Sequence, residues 1–387
     1  MITKFRVRNY KALRDVTLNL TPIHVLIGPN DSGKTSLLES LGAFGRSVNG
    51  FLPSAFRGPW QGRDLVWCRK DKQVELYAEF ENGVSYELNC EFQPTGIQAV
   101  PKRERTVFDG MSVILPHAHQ DATSIARWQQ QDQFWCHDNE EVQNAARSIY
   151  EQCSGVLDFR WVPAMLGLAS ALEPSRRFTM EESGFGLATV LDDIIGHSID
   201  LFWKIEERFM SLFPDMMGIR IKTVTGLSRV GDDRLSTTFE RVPAKGLFFD
   251  TLSVSDLPAS EMSDGVLLVL AYLTVLHLPN PPRLLLIEGP ENGIHPRRLQ
   301  DVIAILKELV AQQSHTQVVM TTHSPYLLDM FSPSEVSLCR KEEDGSVTVH
   351  PLSESELVRK QLDVFTLGEI WTAEGDEALI GTAEVVP

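Results

Sequence analysis

The stretch Gly28–Ser36, "GPNDSGKTS", follows the apolar run "IHVLIG" and leads directly into the helix-forming "KTSLLESLGAF". It fits the pattern G-x-x-x-x-G-K-[ST], set between a strand and a helix. In that layout Gly28 and Gly33 free the backbone to curl, so that its N–H groups face phosphate oxygens at a helix N-terminus. Lys34 then reaches the β- and γ-phosphates of a nucleotide, and the Thr35 hydroxyl helps to hold Mg²⁺. Asn30, Ser32 and Ser36 complete the binding segment. This reading predicts an α/β nucleotide-binding core that takes a nucleotide with Mg²⁺.

Three later segments supply the rest of such a core. "LLLIE" is an apolar strand ending at Glu288, where a buried strand would deliver a carboxylate to the magnesium side of the site. "TQVVMTTHSP" is a further strand leading to His323. In open α/β sheets ligands bind beyond the carboxyl ends of the strands, which places His323 within reach of a γ-phosphate. In "ASEMSDGVLL", Ser263-Asp264-Gly265 opens a helix that is apolar on nearly all sides. Two readings of that helix start stand side by side. Ser263 would cap the orphan amides while Asp264 complements the helix dipole, or the free amides would meet the γ-phosphate of a second nucleotide.

Strand and helix patterns alternate at both ends of the chain. Near the N-terminus "KFRVRNY" alternates with period two, and "QVELYAEF" and "VSYELNCEF" are joined by Glu81-Asn82-Gly83 as a hairpin. Toward the C-terminus the pattern predicts a helix over 263–278, a Pro279–Pro282 break, a strand over 283–288, a helix over 297–313 and a strand over 317–322. The 297–313 helix carries Leu299, Val302, Ile303, Leu306, Leu309 and Val310 on one face. The middle is less legible, with helical stretches near 140–152 and 187–212 and a strand pair near 219–223 and 235–242. The expected organisation is an N-terminal part of the core over 1–95 with an antiparallel β subdomain, and an inserted, mainly helical region over 96–255. The C-terminal part of the core follows over 256–340, then an acidic tail over 341–387.

Composition narrows the function. The 36 basic and 52 acidic residues give a net charge of −16, and the segment from Lys341 to Pro387 holds 11 acids against 3 bases. That balance disfavours nonspecific binding to a phosphate backbone. Arg103, Arg105, Arg176, Arg177, Arg297 and Arg298 would serve a basic groove, yet such residues usually belong to a solvated surface. The 5 cysteines are scattered without a CxxC pair, which predicts reduced thiols in a cytoplasmic protein. His117 and His119 with Cys136-His137 have no zinc-ligand spacing. The longest apolar run, 13 residues from Val266, is too short to span a bilayer, and the N-terminus has no signal-peptide core.

Together the four pieces resemble ABC-type ATPases of the RecF, SMC and OLD-like group. The chain looks most like the compact bacterial AAA-family ATPases that lack both coiled coil and Toprim domain. "FRVRNYKALRDVTLNLTPIHVLIGPNDSGKTSLLES" resembles their first strands and Walker A, "SEMSDG" their signature, "LLLIEGPENGIHP" their Walker B and following loop, and "TTHSP" their switch histidine. The resemblance is good over 1–45 and about 256–331 and loose between them. It implies that each ATP is sandwiched between the Walker A of one subunit and the signature helix of another, hence a homodimer. It also implies a regulatory switch acting on a separate effector such as a nuclease, in bacterial defence or DNA maintenance. Alternatives are a RecF-like DNA-binding repair ATPase and a nucleotide-gated scaffold without turnover.

The resemblance also marks a departure. The family pattern is acid–Glu–Pro, and Pro290 fixes the register: Glu288 stands at the magnesium acid and Gly289 at the catalytic base. A glycine cannot orient or deprotonate water, and general-base help is typically worth about 10²–10⁴-fold. Slow hydrolysis is the expectation, with Glu291, three residues beyond Glu288, as the candidate substitute. Glu288, Glu291 and His323 are thus the candidate catalytic residues, with Thr35 and Glu288 at the metal.

Overall fold

The computed structural model describes residues 1–56, 62–69, 72–92, 99–115, 122–131, 139–153, 155–171, 177–229 and 239–380. His117, His119, Cys136, His137 and Arg176 lie outside them. The chain divides into two compact units, one formed by Met1–Asp158, Pro282–Gly289 and Ser314–Pro387, the other by Phe159–Pro281 and Pro290–Gln313.

The first unit contains two six-stranded sheets. One is antiparallel, in the order Leu13–Asn19, Ile2–Tyr10, Gln73–Phe80, Ser85–Phe92, Ala99–Phe108, Met111–Leu115. Its strands alternate as one-sided sheets do, with Phe5, Val7, Leu76, Ala78, Tyr86 and Leu88 fully buried. The hairpin turn falls at 81–83, as the sequence predicts, but the sheet continues two strands beyond it. The other sheet runs Val347–Pro351, Val336–Lys341, Ile23–Ile27, Gln317–Thr321, Leu284–Glu288, Val156–Phe159. Its four central strands are parallel and Val347–Pro351 pairs antiparallel at the edge. Ile23–Ile27, Leu284–Ile287 and Gln317–Thr321 are buried throughout, which is why they read as continuous apolar runs rather than alternating ones.

The helix Lys34–Asn49 joins the two sheets. Its Phe44 packs edge-on against Phe5, with ring centroids 5.8 Å apart, and against Tyr86 at 5.9 Å, while Leu37, Leu38 and Leu41 share one core with Leu284, Leu286 and Val319. Both faces of the helix are therefore buried, and the residue that opens it is fixed by packing on two sides.

The second unit is helical with one long hairpin. The stretch 187–212 forms two helices, Leu187–His197 and Ile199–Leu212, instead of one: Ser198 is extended at φ −158° and ψ 111°, and its N–H closes the first helix on the Ile194 carbonyl. The strand pair is longer than its sequence signal, Met216–Arg229 against Phe239–Thr251, in continuous register from Ile219↔Phe249 to Arg229↔Phe239. The helix Asp264–Leu276 is buried at every position from Val266 to Leu276. The helix Pro296–Gln312 buries Leu299, Val302, Ile303, Ile305, Leu306 and Leu309 on the predicted face. Among the described residues no helix is long and apolar enough to cross a membrane.

Candidate functional site

The strand Ile23–Ile27 ends in Gly28 at φ +137°, where a Cβ would lie 2.2 Å from the backbone oxygen of Cys339. Only glycine lets the loop pass that close to the neighbouring strand. The loop then tightens through a Ser32 N–H bond to the Pro29 carbonyl at 3.3 Å and reaches Gly33 at φ +87°, the N-cap position of the helix Lys34–Asn49. No side chain caps this helix and no acid stands in its first turn. Its N-terminal amides and dipole are thus left for an anion.

Lys34 is folded onto its own loop. Its ammonium donates to the carbonyls of Gly28 at 2.8 Å and Pro29 at 2.6 Å and to Ser32 Oγ at 3.3 Å. Burial lowers its pKa, while the nearby Cys339, Asp376 and Glu288 oppose that shift. The Thr35 hydroxyl donates to the Glu288 carboxylate. Two hard oxygen donors, one from the first turn of the helix and one from the end of a strand, therefore meet at one point. That donor set suits Mg²⁺, which prefers few protein oxygens and keeps the rest of its shell for water and phosphate. Asn30 is exposed and Ser36 half-buried on either side of the loop.

The sheet order explains how His323 and Glu288 come to the same edge. Gln317–Thr321 lies between Ile23–Ile27 and Leu284–Glu288, all three parallel, so the phosphate loop, Glu288 and the segment carrying His323 leave the same end of the sheet. His323 is exposed two residues past its strand. Gly289 has φ +63° and donates its N–H to the Thr321 carbonyl at 3.1 Å. The chain bends directly after Glu288, in a conformation that favours glycine.

Ser263, Asp264, Gly265 and Glu291 belong to the second unit. Ser263 sits at the N-cap of Asp264–Leu276, but its side chain makes no capping bond. The capping alternative for this serine is therefore not realised, and Ser263 and Asp264 are exposed. Gly293, at φ +80°, packs over the same helix start, a Cβ there lying 3.4 Å from that of Asp264 and 3.2 Å from Leu268. Glu291 is half-buried, and its charge adds to the burial that raises the pKa of the Tyr272 phenol. The Tyr272 ring packs against Trp161 in a tilted arrangement, ring centroids 4.6 Å apart.

Two features near Lys34 had no local mark in the sequence. Asp376, in the helix Leu367–Leu379, is one. The ion pair from Lys341 to Asp31 of the phosphate loop is the other. Both come from the acidic C-terminal segment, whose excess of carboxylates was the available signal.

Comparison with known proteins bears on the fold and the family. Residues 1–155 match a family model described as "AAA ATPase domain", and residues 222–329 one described as "AAA domain, putative AbiEii toxin, Type IV TA system". The chain is 23% identical over 377 residues to the OLD nuclease of Thermus scotoductus, covering 92% of this chain and 65% of that protein. It thus spans less than two thirds of the length of that relative. Among solved structures, an SMC head bound to the C-winged helix domain of ScpA superposes with a TM-score of 0.50 at 15% identity, covering 90% of this chain and 96% of that one. An SMC head with an extended coiled coil, bound to the C-terminal domain of ScpA from Pyrococcus furiosus, gives 0.49 at 10% identity, covering 94% and 98%. At 15% identity the likeness to the first of these heads is one of fold alone.

Proposed function

We propose a nucleotide-operated switch for this chain, which is a P-loop ATPase of the AAA/ABC type in the group that holds the RecF, SMC and OLD proteins. ATP with Mg²⁺ binds at Gly28–Ser36. Thr35 and Glu288 hold the metal, and His323 meets the γ-phosphate. The observation that carries this reading is the hydrogen bond from Thr35 to Glu288, which joins the two halves of a hard-cation site across 253 residues of sequence. Lys34 exchanges its loop carbonyls for phosphate oxygens, which places an anion directly against a buried ammonium. Mg²⁺, when bound, would supply charge neutralisation to the nucleotide's phosphates.

Each chain has one phosphate loop and one uncapped Ser263–Gly265 helix start. By the resemblance to ABC-type ATPases, a complete site is made by two copies, each offering its helix start to the nucleotide of the other. Closure of the homodimer is the output, read by a separate effector. A nuclease in defence or DNA maintenance is the effector class we favour, on the strength of the OLD nuclease likeness. Sedimentation of the purified chain with and without Mg–ATP, beside Lys34→Ala and Asp264→Arg, tests the switch. The expected result is an ATP-dependent dimer in the wild type, lost in both variants. A monomer at saturating nucleotide in the wild type overturns it.

One observation favours a second reading, binding without turnover. Gly289 projects no side chain from the residue after Glu288, and its N–H is committed to Thr321. Phosphate release by the wild type beside Lys34→Ala and Glu291→Gln separates the two. Turnover that depends on both residues makes the chain a cycling switch with Glu291 as its base, and dimerisation without turnover makes it a nucleotide-gated scaffold.

A further inference from the structure

The helices Glu356–Gln361 and Leu367–Leu379 are joined by the short turn 362–366, "LDVFT". Its three large apolar residues are all exposed, Leu362 by 42%, Val364 by 75% and Phe365 by 50%. The turn is nonetheless held in place. The N–H groups of Val364 and Phe365 both donate to the Gln361 carbonyl, at 2.9 and 3.0 Å, and the Gln361 side chain donates to Glu374 of the second helix at 2.9 Å. On the other side a capping box fixes the helix start, Thr366 N–H to Glu369 at 2.9 Å and Glu369 N–H to Thr366 Oγ1 at 3.3 Å. That helix start is seated on the segment that follows His323. The Gly368 N–H donates to the Asp329 carboxylate at 2.7 Å, and a Cβ on Gly368 would lie 2.3 Å from the Pro325 carbonyl oxygen. Tyr326, beside Pro325, is itself exposed by 66%.

The charge around the turn is one-sided. From Glu354 to Glu377 the chain carries 7 acids and 2 bases. Both bases are engaged, Arg359 with the Glu354 carbonyl at 3.0 Å and Lys360 with Glu356 at 3.5 Å. Asp363 is exposed between the apolar residues, and Glu369 and Glu374 are exposed on the helix that follows.

We infer that the turn 362–365 is the docking face for a protein partner that presents an apolar strip flanked by lysine and arginine. Single exposed apolar residues are ordinary, but three within four positions on a fixed turn form a patch that a partner covers. Charge selects the occupant. A second copy of the chain would set a like acidic rim against this one, and an anionic lipid surface is repelled for the same reason. A basic rim is attracted, and the aliphatic stems of its lysines and arginines lie over Val364 and Phe365 while their charged ends meet Asp363. Because the turn is tied to Pro325 and Asp329, the occupant sits against the segment that the switch reading places at the γ-phosphate. Calling that occupant the effector rests on the switch reading, whereas the docking face does not.

Binding of labelled synthetic helical peptides to the full chain, followed by anisotropy without nucleotide at about 0.1 M salt, tests the inference. One peptide repeats leucine and lysine at amphipathic spacing, and its control carries glutamate in place of each lysine. The chains compared are the wild type, the double variant Val364→Ser with Phe365→Ser, Asp363→Lys, and Glu141→Lys as an exposed acid on another helix. The wild type should bind the leucine–lysine peptide about tenfold or more tighter than the control. The serine variant should lose about tenfold and Asp363→Lys about threefold, with Glu141→Lys unchanged. Absence of binding to the wild type, or equal binding by the wild type and the serine variant, overturns the inference. So does a nucleotide-free dimer that the serine variant abolishes, which would make a second copy the occupant, or binding to phosphatidylcholine vesicles lost in that variant, which would make it lipid. The expected peptide binding in a chain that forms no ATP-dependent dimer overturns the switch reading and leaves the docking face standing.

Discussion

The Thr35 hydroxyl is bonded to the Glu288 carboxylate, so a residue in the first turn of one helix and a residue at the end of a strand far along the chain share one proton. On the proposed reading these two oxygens would lie on the metal side of the nucleotide. Glu288→Gln keeps the shape and removes the charge. It should weaken Mg²⁺-dependent ATP binding by about 10–100-fold while leaving metal-free nucleotide binding nearly unchanged. Calorimetric titration with Mg–ATP and with ATP in chelator checks the difference, and an equal loss in both would mean that Glu288 does not act through the metal.

Gly28 and Gly83 give a contrast in glycine replacement. Both have positive φ, +137° and +78°, but a Cβ at Gly28 meets the Cys339 backbone at 2.2 Å, whereas Gly83 has open space. Gly83→Ala should lower stability by about 1 kcal/mol, the conformational term alone. Gly28→Ala adds a backbone clash that no side-chain rotation relieves, and should lower it by roughly 3 kcal/mol or more. Denaturant unfolding of the two variants measures the difference.

At Gly289 the left-handed backbone makes restoring the family glutamate more than a side-chain addition. Gly289→Glu and Gly289→Ala should each lower stability by about 1–2 kcal/mol. Neither should raise phosphate release, because a side chain leaving a left-handed residue points away from the direction an extended one would take. A hundredfold gain in Gly289→Glu would show that the chain straightens at this position when nucleotide is bound.

His24 should make stability pH-dependent. It lies 1% exposed in the strand that leads to the phosphate loop, with Nδ1 3.1 Å from Thr21 Oγ1 and Nε2 3.0 Å from Ser337 Oγ. Burial pushes its pKa down from 6.5 to about 4. The unfolded chain therefore binds the extra proton first. The contribution of His24 is fully present above pH 6.5 and is lost as pH falls toward about 4. Its loss should be on the order of 3 kcal/mol. Unfolding curves of the wild type and His24→Gln across that range should converge toward low pH.

Where the chemistry is local, the sequence was a good guide. The phosphate loop is legible because its glycines answer to backbone geometry within nine residues. The strands ending at Ile27, Glu288 and Thr321 are legible because burial on both faces leaves an unbroken apolar run. The antiparallel sheet beyond Phe92 was not legible, since "PKRERT" in its fifth strand has the look of a solvated surface. Glu104 there is 0% exposed, holding hydrogen bonds from the Tyr86 hydroxyl at 2.8 Å, the Ser124 N–H at 3.0 Å and the Ser124 hydroxyl at 3.2 Å. A carboxylate satisfied by distant partners carries no mark of its burial in the sequence around it. The same holds for Asp376, one acid among many until the fold brings it toward Lys34. The break at Ser198 was missed because the apolar spacing continues across it.

The sheet order also fixes a timetable for synthesis. The strand Ile23–Ile27 takes its neighbours in the sheet from Gln317–Thr321 and Val336–Lys341, about 290 residues later. At a ribosomal rate of about 5–20 residues per second, it waits on the order of 15–60 s for its first partner. The antiparallel sheet, complete by Leu115, has no such wait and can fold early around the helix Lys34–Asn49. The phosphate loop, held against the Cys339 backbone, consequently matures only after the strand Val336–Lys341 is made. Nascent chains should be unable to bind nucleotide until the strand Val336–Lys341 has emerged.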